Sequence, residues 1–163
     1  HDYWDFGYLY RRANIIFHKS DLEFKINNKK ILITHGDGLL KNDYGYRIMK
    51  KIIRSPLFIK LFKLFPTSIS FKFANKLSKS SSDYNHNDKY IDTIMRDIVN
   101  YAKIKWSEDI NTVMVGHYHQ QKIISNKKES LVFLGDWLDK YTVTKLNEDG
   151  IWQGNWKEFI ELT

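Results

Sequence analysis

The sequence has no cysteine and only two prolines among its 163 residues. Without cysteine the chain can form neither a disulfide nor a thiolate metal site, which fits a reducing cytosol. No apolar run approaches the roughly 20 residues that a membrane-spanning helix needs. Hydrophobic residues make up 42% and aromatic residues 15% of the chain, a globular composition. We therefore expect one folded domain over residues 1–163, with a core of its own.

Acidic residues are absent from one long segment, residues 44–82, although the whole chain contains 19 of them. Nine of the 26 basic residues lie in the same segment: Arg47, Lys50, Lys51, Arg54, Lys60, Lys63, Lys72, Lys76 and Lys79. The rest of the chain then has 17 basic and 19 acidic residues, which is a net charge of −2. The net charge of +7 is thus a property of this segment, which we call the basic insert.

Hydrophobic periodicity predicts an α/β fold. At the start of the chain it predicts strands over 14–19, 22–26 and 30–34, the last two joined by an Asn27-Asn28 hairpin turn. Helices are predicted around 48–53, from Ser55-Pro56 to Pro66, over 71–79 and from Asp88 to 102, with a polar break at 80–83. Strands are predicted again over 112–116, 121–125, 130–134, 140–146 and 151–154.

Two of the predicted strands end in glycine and histidine, at His35-Gly36 and at Gly116-His117-Tyr118-His119. Strand ends of one sheet converge, and glycine permits close approach of the backbone. Because neutral imidazole is the commonest protein metal ligand, His35, His117 and His119 together suggest a metal centre. Each motif alone also has a structural interpretation, since two nearby histidines are frequent by chance and His35 could cap a turn.

The order of these motifs resembles that of the calcineurin-like metallophosphoesterases. Such enzymes carry five ordered blocks: Asp-x-His, Gly-Asp-x-x-Asp, Gly-Asn-His-Asp, a strand-end His and Gly-His-x-His. His1-Asp2 matches the end of the third block, His35 the fourth and Gly116–His119 the fifth. The resemblance implies the two-sheet sandwich of that superfamily, flanked by helices, with a helical cap at about 44–82.

Within the superfamily the chain is similar to the pyrophosphatases that act on UDP-2,3-diacylglucosamine in lipid A biosynthesis. This similarity is carried by the segments 35–38, 42–46 and 134–137 and by the basic insert. It implies hydrolysis of the substrate's pyrophosphate bond to 2,3-diacylglucosamine 1-phosphate and UMP. It also implies a cytoplasmic enzyme, peripheral on the inner face of the cell membrane.

The resemblance implies two divalent metal ions, usually Mn²⁺, about 3.5–4 Å apart, which activate a water molecule as the nucleophile. His35 and His117 would bind one ion and His119 the other. His1 would stabilise the scissile phosphate or donate a proton to the leaving group, and Asp2 would orient His1.

The first two blocks of the pattern, and the asparagine before His1, are not in the sequence. We therefore expect the chain to be the C-terminal part of a longer enzyme, and to bind metal weakly without turning over substrate. The alternatives are another phosphodiesterase or phosphatase of the superfamily, or a non-catalytic fragment that binds lipid surfaces or nucleic acid.

The residues of the basic insert leave two interpretations open. Its helices could dock their apolar faces on the domain, or they could lie on an anionic membrane surface. A nucleic-acid partner is not expected, because phenylalanine at helical spacing is typical of packing rather than of exposed stacking. The resemblance implies a cap for the acyl chains of the glycolipid nucleotide, whose head group would contact residues within or beside the insert. The candidates are Asp43, Tyr46, Asn75, Lys76 and Lys79.

Overall fold

The structure is a computed structural model that describes residues 4–82 and 88–161, with side chains described for residues 4–73, 75 and 90–161. The helices are α1 (Tyr8–Ala13), α2 (Tyr44–Ile53), α3 (Pro56–Phe62), α4 (Thr67–Ser82), α5 (Asp88–Ser107) and α6 (Trp156–Glu161). The strands are β1 (Leu22–Ile26), β2 (Lys29–Thr34), β3 (Thr112–Val115), β4 (Gln121–Ser125), β5 (Ser130–Leu134), β6 (Thr142–Asn147) and β7 (Gly150–Asn155). The chain divides into a helical unit, Gly38–Ile98, and a sheet unit on either side of it in sequence.

The sheet unit is built on a five-stranded mixed sheet in the order β1-β2-β3-β5-β4. The three central strands, β2, β3 and β5, are parallel, and each edge strand is antiparallel to its neighbour. Asn27 and Asn28 both have positive φ in the turn between β1 and β2, as the sequence predicted. Because the central strands are parallel, their carboxyl ends lie at one edge of the sheet.

The core of the sheet unit lies on the central strands, which read as continuous apolar runs because both faces of the sheet are covered. On one face, Ile31, Met114 and Val132 pack against the β6–β7 hairpin through Leu146 and Ile151. The Gln153 amide also ties the hairpin to the sheet by donating to the Phe133 carbonyl over 2.8 Å. Residues of the other face, including Leu32, Val113, Val115, Leu131 and Phe133, are almost fully buried.

The helical unit contains α2, α3, α4 and the first part of α5. The Ser55 hydroxyl accepts from the Phe58 amide over 3.2 Å, and Pro56 occupies the first position of α3, so the predicted start of this helix is confirmed. In α2 and α3, whose residues are all described, no residue is buried. On one side of these helices Phe62 contacts the rings of Phe58 and Phe73.

The sequence analysis did not predict α1, and it predicted a strand at 14–19 that the structure does not contain. The Asp5 carboxylate accepts from the Gly7 and Leu9 amides over 2.7 Å each, which starts α1, and Asn14 ends it in the left-handed conformation. The strand predicted at 14–19 is therefore wrong: these residues join no ladder in the described sheets.

Other helix ends also differ from the sequence prediction, and α3 ends at Phe62 instead of continuing to Pro66. The polar break expected at 80–83 does not interrupt α4, which continues to Ser82, while Asp83 lies outside the described residues. Serine lowers helix propensity by less than about 0.7 kcal/mol relative to alanine, so a serine run without glycine or proline does not end a helix. The short α6 was not predicted either. The mixed α/β class itself is confirmed.

Candidate metal centre

His35 and His117 meet at the carboxyl edge of the parallel strands. Thr34 pairs with Val115 in the last register position of β2 and β3, and the chain continues the ladder one step further, with the His117 amide donating to the His35 carbonyl over 2.7 Å. Gly116 lies between them, and a Cβ at that position would contact His35 at 3.9 Å. This is an ordinary van der Waals distance, so the space beside the His35 ring does not itself require glycine at this position.

The two imidazole rings approach each other through nitrogen atoms. His35 Nε2 and His117 Nδ1 are 3.2 Å apart, and the ring centroids are 5.0 Å apart at an interplanar angle of 67°. Two imidazole nitrogens on one divalent ion, at bond lengths of about 2.1 Å and angles between about 90° and 109°, are roughly 3.0–3.4 Å apart. The observed separation fits a shared ion, and it also allows an N–H of one neutral ring to donate a hydrogen bond to the unprotonated nitrogen of the other.

Tyr118 fixes the two histidine-bearing turns to each other. Its side chain is buried, and its hydroxyl donates to the Gly36 carbonyl over 2.8 Å. Its ring also packs edge-on against His117, with 5.2 Å between centroids. The second turn is therefore bonded to the first through a side chain as well as through the backbone.

His119 lies two residues after His117, at the end of a tight turn. Its amide donates to the Gly116 carbonyl over 3.2 Å, its φ is 53°, and its side chain is exposed. Its carbonyl accepts a hydrogen bond from Lys140 Nζ. Within the described part of the chain, no three histidine or carboxylate side chains are grouped closely enough to hold a metal ion.

The loop after β5 leaves the sheet at the same edge, since Phe133 pairs with Val115 in parallel register. Asp136 begins this loop, and its side chain is only 5% exposed. One carboxylate oxygen accepts from the amides of Leu138, Asp139 and Lys140 over 3.0, 2.7 and 3.1 Å. Desolvation raises the pKa of Asp136, but these amides and the Lys140 ammonium lower it more, so its pKa lies below the ordinary value.

The predicted head-group residues lie in the helical unit. Asp43 and Tyr46 are half-buried at the start of α2. Desolvation raises the pKa of Asp43 while Arg47 lowers it, and the net pKa is raised. The Arg47 guanidinium donates to the carbonyls of Gly38, Leu40 and Lys41, which fixes the segment before the helix.

The remaining predicted site residues are described only in part. Asn75 is exposed on α4, and Lys76 and Lys79 follow on the same helix, although their side chains are outside the described set. His1 and Asp2 lie outside the described residues. Of the predicted ligands, the structure therefore brings His35 and His117 into contact. The proposed roles of all the predicted site residues stay predictions.

Sequence reasoning assigned no role to three residues of this edge, Tyr118, Asp136 and Lys140, although Asp136 lies in the segment 134–137 that carried part of the resemblance. A tyrosine between two candidate ligands gave no signal of its own, because its partner is a backbone carbonyl 82 positions away. Asp136 did carry a signal, since an aspartate directly after a strand and a glycine is typical of a turn in which the carboxylate caps the following amides.

Comparison with known proteins finds relatives that share one name. No family model matches the chain. It is 31% identical over 124 residues to the UDP-2,3-diacylglucosamine hydrolase of Histophilus somni (strain 2336), a match that covers 75% of this chain and 52% of that protein. It is 27% identical over 146 residues to the protein of the same name from Pseudomonas syringae pv. tomato, covering 85% and 57%.

These relatives are hydrolases, and the chain is homologous to them. Their shared name confirms the similarity to UDP-2,3-diacylglucosamine hydrolases that the segments 35–38, 42–46 and 134–137 and the basic insert predicted. The chain spans about half the length of the curated relatives it matches.

Proposed function

We propose that the chain is part of a metal-dependent hydrolase of the pyrophosphate bond of UDP-2,3-diacylglucosamine, releasing 2,3-diacylglucosamine 1-phosphate and UMP. The observation that carries the proposal is the 3.2 Å approach of His35 Nε2 and His117 Nδ1 at the carboxyl edge of parallel strands. In an α/β sheet this edge is where ligands bind. The names of the homologous hydrolases supply the substrate class. The two-sheet metallophosphoesterase sandwich is part of the same proposal.

The donor set fits divalent metal ions, for which we propose Mn²⁺. His35, His117 and His119 would be the ligands on this chain, and bound ions would polarise the phosphoryl oxygens and acidify a water molecule. The backbones of His35 and His117 are already held together by the bond between them and by the Tyr118 bond to Gly36, so only their side chains would be ordered further on binding. His1 would act beside the scissile phosphate, with Asp2 orienting it.

Metal binding can be measured on this chain directly. Replacing His117 with alanine should abolish the Mn²⁺-induced broadening of the His35 imidazole signals in an NMR titration, because one of the paired ligands is lost. His18→Ala is the matched control, since His18 is an exposed histidine of the sheet unit. Equal broadening in wild type and His117→Ala would contradict the proposed ligand pair.

The 163 residues alone should bind Mn²⁺ weakly and show no turnover, because the bridging carboxylate implied by the resemblance is not among them. Robust hydrolysis by the chain alone would contradict this expectation. In the complete product of the gene, assayed with Mn²⁺ on the glycolipid nucleotide and on a generic phosphodiester, His117→Ala should lower kcat by at least about 10³-fold. Faster hydrolysis of the generic diester would favour another phosphoesterase activity.

The helical unit supports a lipid substrate and a membrane surface as partner. Large apolar side chains are exposed on three of its helices: Tyr44, Ile48, Ile52, Leu57, Leu61, Ile69, Phe71 and Phe73. Leu64 and Phe65, in the turn between α3 and α4, are exposed as well. The basic insert places nine cations in the same segment as these residues and contains no acid. This combination is typical of a surface that binds an anionic lipid interface.

We therefore propose that the protein acts peripherally, on the cytoplasmic face of the cell membrane, with the insert receiving the acyl chains. Among the described residues, no helix is long and apolar enough to cross a membrane. Asp43, Tyr46, Asn75, Lys76 and Lys79 are the proposed head-group contacts.

Co-sedimentation with vesicles tests the membrane surface. Phe71→Glu combined with Leu64→Glu should abolish binding to phosphatidylglycerol vesicles, because both side chains are exposed and each substitution adds a negative charge. Tyr8→Glu, which changes another exposed aromatic residue in the sheet unit, is the control. Unchanged binding of the double variant would exclude this surface as the lipid contact.

A further inference from the structure

The loop after β5 presents flat aromatic surface at the edge that carries the histidines. We call residues 135–141 the rim loop. Trp137 is 60% exposed, although indole is among the side chains that proteins bury most extensively. Its ring contacts Tyr141 edge-on, with 5.9 Å between centroids and an interplanar angle of 81°. Two exposed aromatic rings therefore support each other in one loop.

The rim loop is firmly anchored despite its exposure. Three of its amides are bonded to the Asp136 carboxylate, and the Gly135 amide donates to the Gln120 carbonyl over 2.7 Å. Gly135 has φ 74°, and a Cβ there would collide with Thr142, so only glycine fits. Loops that hold an exposed ring in a fixed position bind ligands at a small ordering cost.

A cation accompanies the aromatic surface. Lys140 is partly exposed, three residues after Trp137, and its ammonium donates to the carbonyl of His119. An ammonium group has three donors, so this bond leaves capacity for a phosphate oxygen. The carboxylate of Asp136, 3.9 Å from Lys140, is engaged by backbone amides, while Asp139 is exposed on the same loop.

We propose that the rim loop binds the nucleotide half of the substrate, with the uracil ring stacked on Trp137 and a phosphate oxygen beside Lys140. This proposal rests on the proposed function, because it takes the uridine nucleotide from there. A nucleotide combines a flat base with an anionic phosphate, and the rim loop offers the complementary pair within four residues. The link from Lys140 to His119 connects this surface to the histidine edge.

Binding of UMP and of ribose 5-phosphate to the chain, followed through the indole signal of Trp137 and by calorimetry, tests the proposal. Trp137→Ala should raise the Kd for UMP about tenfold or more and leave ribose 5-phosphate unaffected, because stacking acts only on the base. Trp137→Phe keeps an aromatic ring and should stay within about threefold of wild type. Tyr10→Ala, which removes a 58% exposed ring of α1, should change neither Kd.

The proposal would be overturned by no measurable UMP binding by the wild-type chain, by an unchanged Kd in Trp137→Ala, or by an equal loss for ribose 5-phosphate. A Trp137→Ala variant that keeps UMP but loses anionic vesicles would also overturn it and assign the ring to lipid. Hydrolysis assays on the complete gene product distinguish a failure of the rim-loop proposal from a failure of the proposed function. Hydrolysis that depends on His117 but not on Trp137 would overturn only the rim-loop proposal.

Discussion

The two units of the molecule use apolar side chains in opposite ways. In the sheet unit, most apolar residues of the central strands are almost completely buried, and the polar ends of two of those strands carry the paired histidines. In the helical unit, α2 and α3 bury no residue, and leucine, isoleucine and phenylalanine are exposed beside lysine and arginine. Hydrophobic composition alone therefore does not distinguish a core from a contact surface.

The difference follows from the charged residues that accompany the apolar residues in each unit. The central strands have no charged residue inside their apolar runs. The helices of the basic insert, in contrast, alternate apolar residues with lysine and arginine and contain no acid. A core excludes unpaired charge, and an anionic interface attracts it. In residues 44–82, the absence of acidic residues therefore indicates a contact surface more clearly than the apolar composition does.

The largest expected effect on stability comes from replacing one phenylalanine of the sheet unit with alanine, and the same replacement in the helical unit is the comparison. Phe133→Ala should lower the free energy of unfolding by about 3–5 kcal/mol, because the side chain is 1% exposed and its removal leaves a cavity in the sheet. Phe71→Ala, at a 69% exposed position, should change it by less than about 0.5 kcal/mol. Urea denaturation followed by circular dichroism measures both.

Phe133→Leu provides the control in case the alanine variant does not fold, with an expected loss smaller than that of alanine because most of the volume is kept. A loss for Phe71→Ala as large as that for Phe133→Ala would show that Phe71 is part of a folded core. The contrast between the two units would then not hold.

The sheet was largely predictable because its signals are local. Alternation and the Asn27-Asn28 turn place β1 and β2, and short apolar runs place the central strands. The convergence of His35 and His117 was predictable because parallel strand ends share an edge. The bond from Tyr118 to Gly36 was not, since it depends on the register of β2 with β3, and register is a property of the folded sheet.

An intermediate effect is expected where the two histidine turns are bonded. Tyr118→Phe should lower the free energy of unfolding by about 1–3 kcal/mol, because the buried carbonyl of Gly36 loses its donor. Tyr141→Phe removes an exposed hydroxyl and should cost less than about 0.5 kcal/mol. Thermal unfolding compares the two variants, and equal stabilities would show that the bond to Gly36 contributes nothing.

The smallest effect concerns the carboxylate that organises the rim loop. Because the pKa of Asp136 is lowered in the folded protein, its charge contributes stability above the unfolded-state pKa of about 3.9. That contribution is lost as the pH falls through the folded-state pKa. Asp136→Asn keeps an oxygen that can accept from the three amides but removes the charge beside Lys140, so the loss at pH 7 should be about 0.5–1.5 kcal/mol.

Urea unfolding of wild type and Asp136→Asn between pH 7 and pH 3 measures this contribution. The stability difference should be constant down to about pH 5 and then shrink as the wild-type carboxylate takes up a proton. Phe71→Ala serves as the pH-independent reference from the other unit, since it removes no titrating group. A stability difference that widens at acid pH would contradict the lowered pKa of Asp136. It would mean that burial, which raises this pKa, outweighs the amides and Lys140, and that the rim loop does not depend on the Asp136 charge.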